Sequence, residues 1–315
     1  MKATLNRYVT ISNFMNKNTL TFFTFLMLLM GLTACGGGSE NDSLDSELPA
    51  DTIAAGANVS EDVLNNLIQS IPSPVEMASV IKASGGEYNS RILNETDNVD
   101  KYNNNYKQAL NIGIYSADLG YINIYEKTMS AMGYISSIKT LADQIKVGQF
   151  FDFATLKNLA SNSKNADSLL YISMSSFNKM DAYLREQKRG ELSVLIITGA
   201  WLEGLHIASE VAKVKASADI VEKIGEQKIV LNNLLLIVNL YNKIPYFANV
   251  ASELEKLKGI YDQVTITYEY AEPETKEVNG QLVIVDNSTS KINMTDDQLK
   301  KIIETTASIR TQLVH

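Results

Sequence analysis

Glu203 and His206 stand three residues apart in a stretch otherwise almost free of polar groups. Between Val194 and Ala208 the polar side chains are Thr198, Glu203 and His206. On a helix, a spacing of three places both on one face, and a buried carboxylate must find a partner or take up a proton. A second apolar stretch carries Asn111 and Asp118 two turns apart, with Gly113 and Gly120 seven apart. Glycines so spaced let a second helix approach closely. Asp118, Glu203 and His206 therefore form a candidate buried polar site. Three chemistries compete for it. The plainest is a hydrogen-bonded knot across a helix pair. The second is a metal or small-ligand site, since Glu-x-x-His is half of a di-iron carboxylate centre. That centre needs a second Glu-x-x-His, and the only other histidine is His315, so only a mononuclear site stays open. The third is a catalytic carboxylate–histidine pair, for which no partner nucleophile is evident. There is no phosphate loop, His-Glu-x-x-His, Gly-x-Ser-x-Gly or Cys-x-x-Cys-His. The balance points away from an enzyme, with no cofactor or metal expected.

The elements that must hold these residues are helices. No proline occurs between Val75 and Ile244, which favours long helices. The segment from Glu191 to Lys213 is apolar on nearly all sides, as a central helix is. Short helices are expected from Ser60 to Ile71 and from Pro74 to Ser84. A long stretch from Asn98 to Ile145 reads as two helices with a break near Gly120 to Asn123. Further helices are expected at Asp152–Leu159, Asn165–Gln187, Ser217–Asn242 and Asn249–Asp262. The Lys188-Arg189-Gly190 stretch reads as a helix stop, basic residues and then glycine. Val264–Tyr270 and Gln281–Val285 alternate with period two, with Asn279-Gly280 between them, and read as a β-hairpin at about 264–286. Thr295-Asp-Asp-Gln298 caps a last helix, about 295–313. The fold class is mainly α, a helical array or bundle of antiparallel helices with a small β-hairpin near the C-terminus. Gly113-Ile-Tyr-Ser-Ala-Asp and Gly199-Ala-Trp-Leu-Glu share a glycine, an aromatic two later and then a carboxylate, a hint of internal duplication.

Cys35 is the one cysteine, and its setting is distinctive. Lys2, Arg7 and Lys17 precede an apolar run of 11 residues, Leu20 to Met30. The run suits a secretory signal and is too short to span a bilayer, which takes about 20 residues. Met15 begins a more compact version, so translation could start at either Met1 or Met15. Leu32-Thr33-Ala34-Cys35 then resembles the lipobox of bacterial lipoproteins. The resemblance implies cleavage before Cys35, diacylglycerol on its thiol and acylation of the new amino terminus. Residues 1–34 are the expected signal peptide. Residues 35–58, rich in Gly, Ser and acids, are the expected tether, and 59–315 the helical domain.

Removing Lys2, Arg7 and Lys17 with the signal takes the formal charge from −8 to −11. That excludes nucleic acid as a partner and leaves lipid on Cys35 as the expected membrane attachment. Gly36 rather than aspartate after the cysteine points to the outer membrane, with a periplasmic or surface-exposed body. The Ile71-Pro-Ser-Pro-Val-Glu76 and Gly113–Tyr121 stretches resemble a group of envelope lipoproteins of unassigned function. Gly204-Leu-His206-Ile-Ala-Ser-Glu210 resembles the Gly-x-His-x-x-Glu motif of imelysin-like lipoproteins, with the glutamate one position late. The expected function is a lipid-anchored binding or scaffold module for an envelope protein, glycan or peptide. The alternative is a metal binder, ligand binder or enzyme centred on Glu203 and His206.

Overall fold

The computed structural model describes residues 8–9, 61–71, 74–160, 166–278, 281–285 and 289–314. Apart from Tyr8–Val9, the expected signal and tether lie outside the described residues. So do Leu32, Thr33, Ala34, Cys35, the Asn279-Gly280 pair and His315.

The chain forms two compact units. The larger contains ten α-helices among the described residues: α1 Glu61–Gln69, α2 Pro74–Ala83, α3 Asn105–Ile124, α4 Thr128–Gln144, α5 Phe153–Ala160, α6 Ala166–Glu186, α7 Gly190–Val214, α8 Ala218–Asn239, α9 Pro245–Tyr261 and α10 Asp296–Val314. Their starts follow local chemistry. Asn104 caps α3, its Oδ1 accepting from the backbone N–H of Tyr106 and Lys107 at 3.1 and 3.0 Å. Ser217 caps α8 through Ile220 N–H. Thr295 and Gln298 form a reciprocal capping box on α10, at 2.8 and 3.2 Å. α9 opens at Pro245, earlier than the Asn249 start expected, because proline at the first position presets the helical φ.

Three helix ends use the left-handed region without glycine. Glu126, Lys146 and Lys188 have φ near 57°, 60° and 56°. Each is followed by a backbone N–H that reaches back five residues: Lys127 to Ile122, Val147 to Ala142 and Arg189 to Leu184. The break after α3 therefore falls at Tyr125–Lys127, not at Gly120–Asn123. Gly120 stays helical, and its lack of a side chain suits the close approach of α2: a Cβ there would sit 3.1 Å from Val75 Cγ2. Likewise Lys188, not Gly190, takes the left-handed turn, and Gly190 is already the first residue of α7.

α7 is the centre. Among the described residues it is the one helix long and apolar enough to cross a membrane, and 89% of its apolar window is buried inside the fold, as in a core helix. α3 packs along it in the most extensive helix contact of the structure, and α2, α8 and α10 also lie against it. The α3–α7 crossing is made by two glycines in reciprocal positions. A Cβ on Gly113 would overlap the Ile196 carbonyl oxygen and lie 2.7 Å from Ala200 N. A Cβ on Gly199 would overlap the Leu110 carbonyl oxygen. Each glycine thus covers the carbonyl three residues before the other. The two glycine segments that resemble each other in sequence meet here with local two-fold character.

Two strands complete this unit. β2 (Thr265–Glu269) pairs with β5 (Thr289–Asn293). The smaller unit holds β3 (Glu274–Val278) and β4 (Gln281–Val285), antiparallel with Val278 opposite Gln281, and β1 (Tyr8–Val9) pairs antiparallel with β4. The class is the expected one, mainly α with a small β element near the C-terminus. The hairpin partners differ from expectation. Gln281–Val285 pairs with Glu274–Val278, and Thr265–Glu269 reaches past both to Thr289–Asn293. A two-residue Asn-Gly spacing favours the immediately preceding segment as partner.

Candidate functional site

Asp118, Glu203 and His206 are brought to one region, on the facing sides of α3 and α7, and are joined there by a residue the sequence reading missed. Arg310 of α10 enters the core and holds Glu203 with two parallel hydrogen bonds. Nε donates to Oε2 at 3.0 Å and Nη2 to Oε1 at 2.9 Å. Glu203 is 0% exposed and the Arg310 side chain 13%. This is the fork geometry that makes arginine the usual partner of a buried carboxylate. Burial opposes the Arg310 charge, but the Glu203 charge and hydrogen bonds outweigh it and the guanidinium is held above its ordinary value.

Asp118 is also 0% exposed. Its Oδ2 accepts the Asn94 backbone N–H at 3.1 Å. Oδ1 receives no donor. Burial pushes the Asp118 carboxyl well above the usual carboxylate range, and the neighbouring Glu203 charge adds to this against the pull of Arg310. Asn94 lies in the segment between α2 and α3, which has only 3₁₀ turns at Ser90–Ile92 and Thr96–Lys101. Its side chain donates to Tyr102 Oη at 3.0 Å and accepts from Asn98 Nδ2 at 2.8 Å.

The same segment receives further polar tips from α3 and from Tyr125, its C-terminal cap. Tyr115 donates to Glu95 O at 2.9 Å, Tyr121 to Glu87 O at 3.2 Å and Tyr125 to Gly86 O at 2.6 Å, and Tyr121 Oη accepts from Asn89 N–H. Tyr115, Asp118, Tyr121 and Tyr125 thus form a stripe at spacings of three and four that satisfies the backbone of a segment without regular structure. Burial raises all three tyrosines, Tyr125 to about 12, so they remain neutral donors.

His206 is used apart from Glu203. Its Nε2 lies 3.1 Å from Ile92 O, so that nitrogen carries the proton and donates it. Nδ1 is buried without a partner. Burial lowers the imidazole value, with the Glu203 charge working against it. A histidine depressed in the fold contributes stability that is complete above its unfolded value and lost as pH falls through the folded one. His206→Gln keeps an amide donor for Ile92 O and removes the titration. Urea unfolding of the wild type is expected to weaken as pH drops below about 6.5, and the variant is expected to lose less. Equal acid losses in the two proteins would show that His206 is not the group responsible.

Arg310 engages both Glu203 oxygens, and His206 donates through Nε2 to Ile92 O, which leaves its Nδ1 lone pair buried and without a partner. Among the described residues no group of three or more His, Cys, Asp or Glu is placed to hold a metal ion. Glu210, the glutamate of the Gly204–Glu210 stretch, is ion-paired with Lys213. No protein-family model, curated protein or solved structure matches this chain. The cluster has to be read from its own geometry. That geometry is a closed tie joining α3, α7, α10 and the Ser90–Tyr102 segment.

Arg310 had a signal in the sequence. Leu299, Ile303, Thr306 and Leu313 are buried and follow the helical apolar stripe, and Arg310 occupies the remaining place in it. A lone arginine on an apolar stripe calls for a buried anion.

Proposed function

We propose that this chain is a lipid-anchored helical module of the bacterial cell envelope, acting as a binding or scaffold body rather than an enzyme. The observation that carries the reading is Leu32-Thr33-Ala34-Cys35 directly after the apolar run Leu20–Met30, in a chain with no other cysteine. The body supports a non-catalytic role. Its most concentrated titratable cluster is buried, and the Glu203–Arg310 pair at its centre ties α7 to α10. With a charge of −11 after loss of Lys2, Arg7 and Lys17 from a chain of −8, the body is repelled by anionic lipid. Attachment then falls to the acyl chains on Cys35, each buried CH₂ contributing about 0.8 kcal/mol. Gly36 favours the outer membrane. The partner is an envelope protein, glycan or peptide.

Metabolic labelling with a palmitate analogue tests the anchor. The wild type is expected to incorporate label and to fractionate with membranes. Cys35→Ser is expected to lose both the label and the mass shift of processing. Label retained on Cys35→Ser would overturn the anchor assignment.

A further inference from the structure

We propose that the Asp118–Glu203–Arg310 cluster holds one proton between its two carboxyls, and that this proton is an alkali-sensitive latch on the docking of α10. Both carboxyl groups are 0% exposed. One guanidinium serves them, and its two donating nitrogens are both spent on Glu203. Asp118 keeps the Asn94 N–H on Oδ2 and has no donor at Oδ1. If both carboxyls were charged, the cluster would carry an uncompensated negative charge away from water. A proton on Asp118 Oδ1, donated to Glu203, neutralises the trio and gives the orphaned oxygen its bond.

Among the described residues that act on Asp118, Arg310 is the one cation. Glu203 and Arg310 face Asp118 from α7 and α10. Tyr134 faces it from α4, Tyr115 from its own helix, and Tyr88 from the segment after α2. Burial holds these tyrosines above their ordinary value, so they stay neutral. Tyr102 and His206 face Glu203 and Arg310. Burial keeps the first protonated and the second neutral.

An acid raised in the fold contributes stability that is complete below its unfolded value, about 3.9, and lost as pH rises through the folded one. Loss of the proton sets two carboxylates against each other where α10 meets α7. Asp118→Asn mimics the protonated acid, its Oδ1 accepting from Asn94 and its Nδ2 donating to Glu203. In urea unfolding of the purified full-length chain, the folding constant of the wild type is expected to fall relative to Asp118→Asn by up to about tenfold per pH unit within that window. Parallel pH profiles would overturn the proposal. Infrared difference spectra of the wild type supply a second readout that needs no variant. A protonated-carboxyl stretch persisting at neutral pH, where exposed carboxyls are ionised, is expected. It is expected to vanish at high pH together with α10 protection in hydrogen exchange. Absence of the band at neutral pH also overturns the proposal.

Discussion

Arg310→Ala is expected to destabilise the protein by about 3–5 kcal/mol, the usual cost of stripping one partner from a buried ion pair. The loss is large because of what remains. Glu203 is 0% exposed and accepts both of its charged hydrogen bonds from this one residue. Without them its carboxylate lies beside Asp118 with no cation. Urea unfolding monitored by far-ultraviolet circular dichroism reads the effect as a lower midpoint. Arg310→Lys is expected to fall between wild type and alanine, since a single ammonium cannot reproduce the two-pronged contact. The double variant Glu203→Gln/Arg310→Met is expected to recover most of the loss, because no bare charge is left behind. An Arg310→Ala protein within about 1 kcal/mol of wild type, the value of an exposed pair, would mean that Glu203 reaches water and that the tie is not what docks α10.

Gly199→Ala carries the second large effect. Adding one methyl group places a Cβ on the Leu110 carbonyl oxygen, a backbone atom that cannot swing aside. α3 and α7 must separate along the most extensive helix contact in the fold. The expected loss is at or above the upper end of the roughly 1–3 kcal/mol typical of overpacking. Gly113→Ala is expected to behave alike, through the Ile196 carbonyl. Gly259→Ala is the internal control. It lies in α9 with nothing within 4 Å of the added atom, and alanine there is expected to stabilise by about 0.4–1 kcal/mol. If Gly199→Ala and Gly259→Ala shift thermal unfolding equally, close approach at the crossing is not what selects glycine.

Both effects bear on how legible the cluster was. Glu203 and His206 stood out because polar residues are conspicuous in an otherwise apolar helix. Their spacing suggested one shared site, yet the structure employs them separately, on Arg310 and on the Ile92 carbonyl. Spacing along a helix settles which face a side chain occupies, not which neighbour arrives there. Asn94 could not have been found, because it acts on Asp118 through its backbone N–H, a group every residue but proline possesses. The Gly113 and Gly199 segments share a glycine, an aromatic two later and then a carboxylate. Their meeting across one crossing gives that likeness a packing reason, since two helices in near-contact need the small residue on both sides.

By itself the sequence determined the helical class, most helix spans and the cap at Thr295–Gln298, because hydrophobic periodicity and capping act over a few residues. It also determined that Asp118, Glu203 and His206 would need partners if buried. Tertiary structure alone decided that Glu203 is matched to Arg310, 107 residues away. It alone placed Asp118 beside that pair without a cation of its own, and paired Thr265–Glu269 with Thr289–Asn293. Those outcomes depend on which surfaces meet when the core closes. Once water is excluded, every buried charge and backbone group must be answered by whatever residue packing brings within reach.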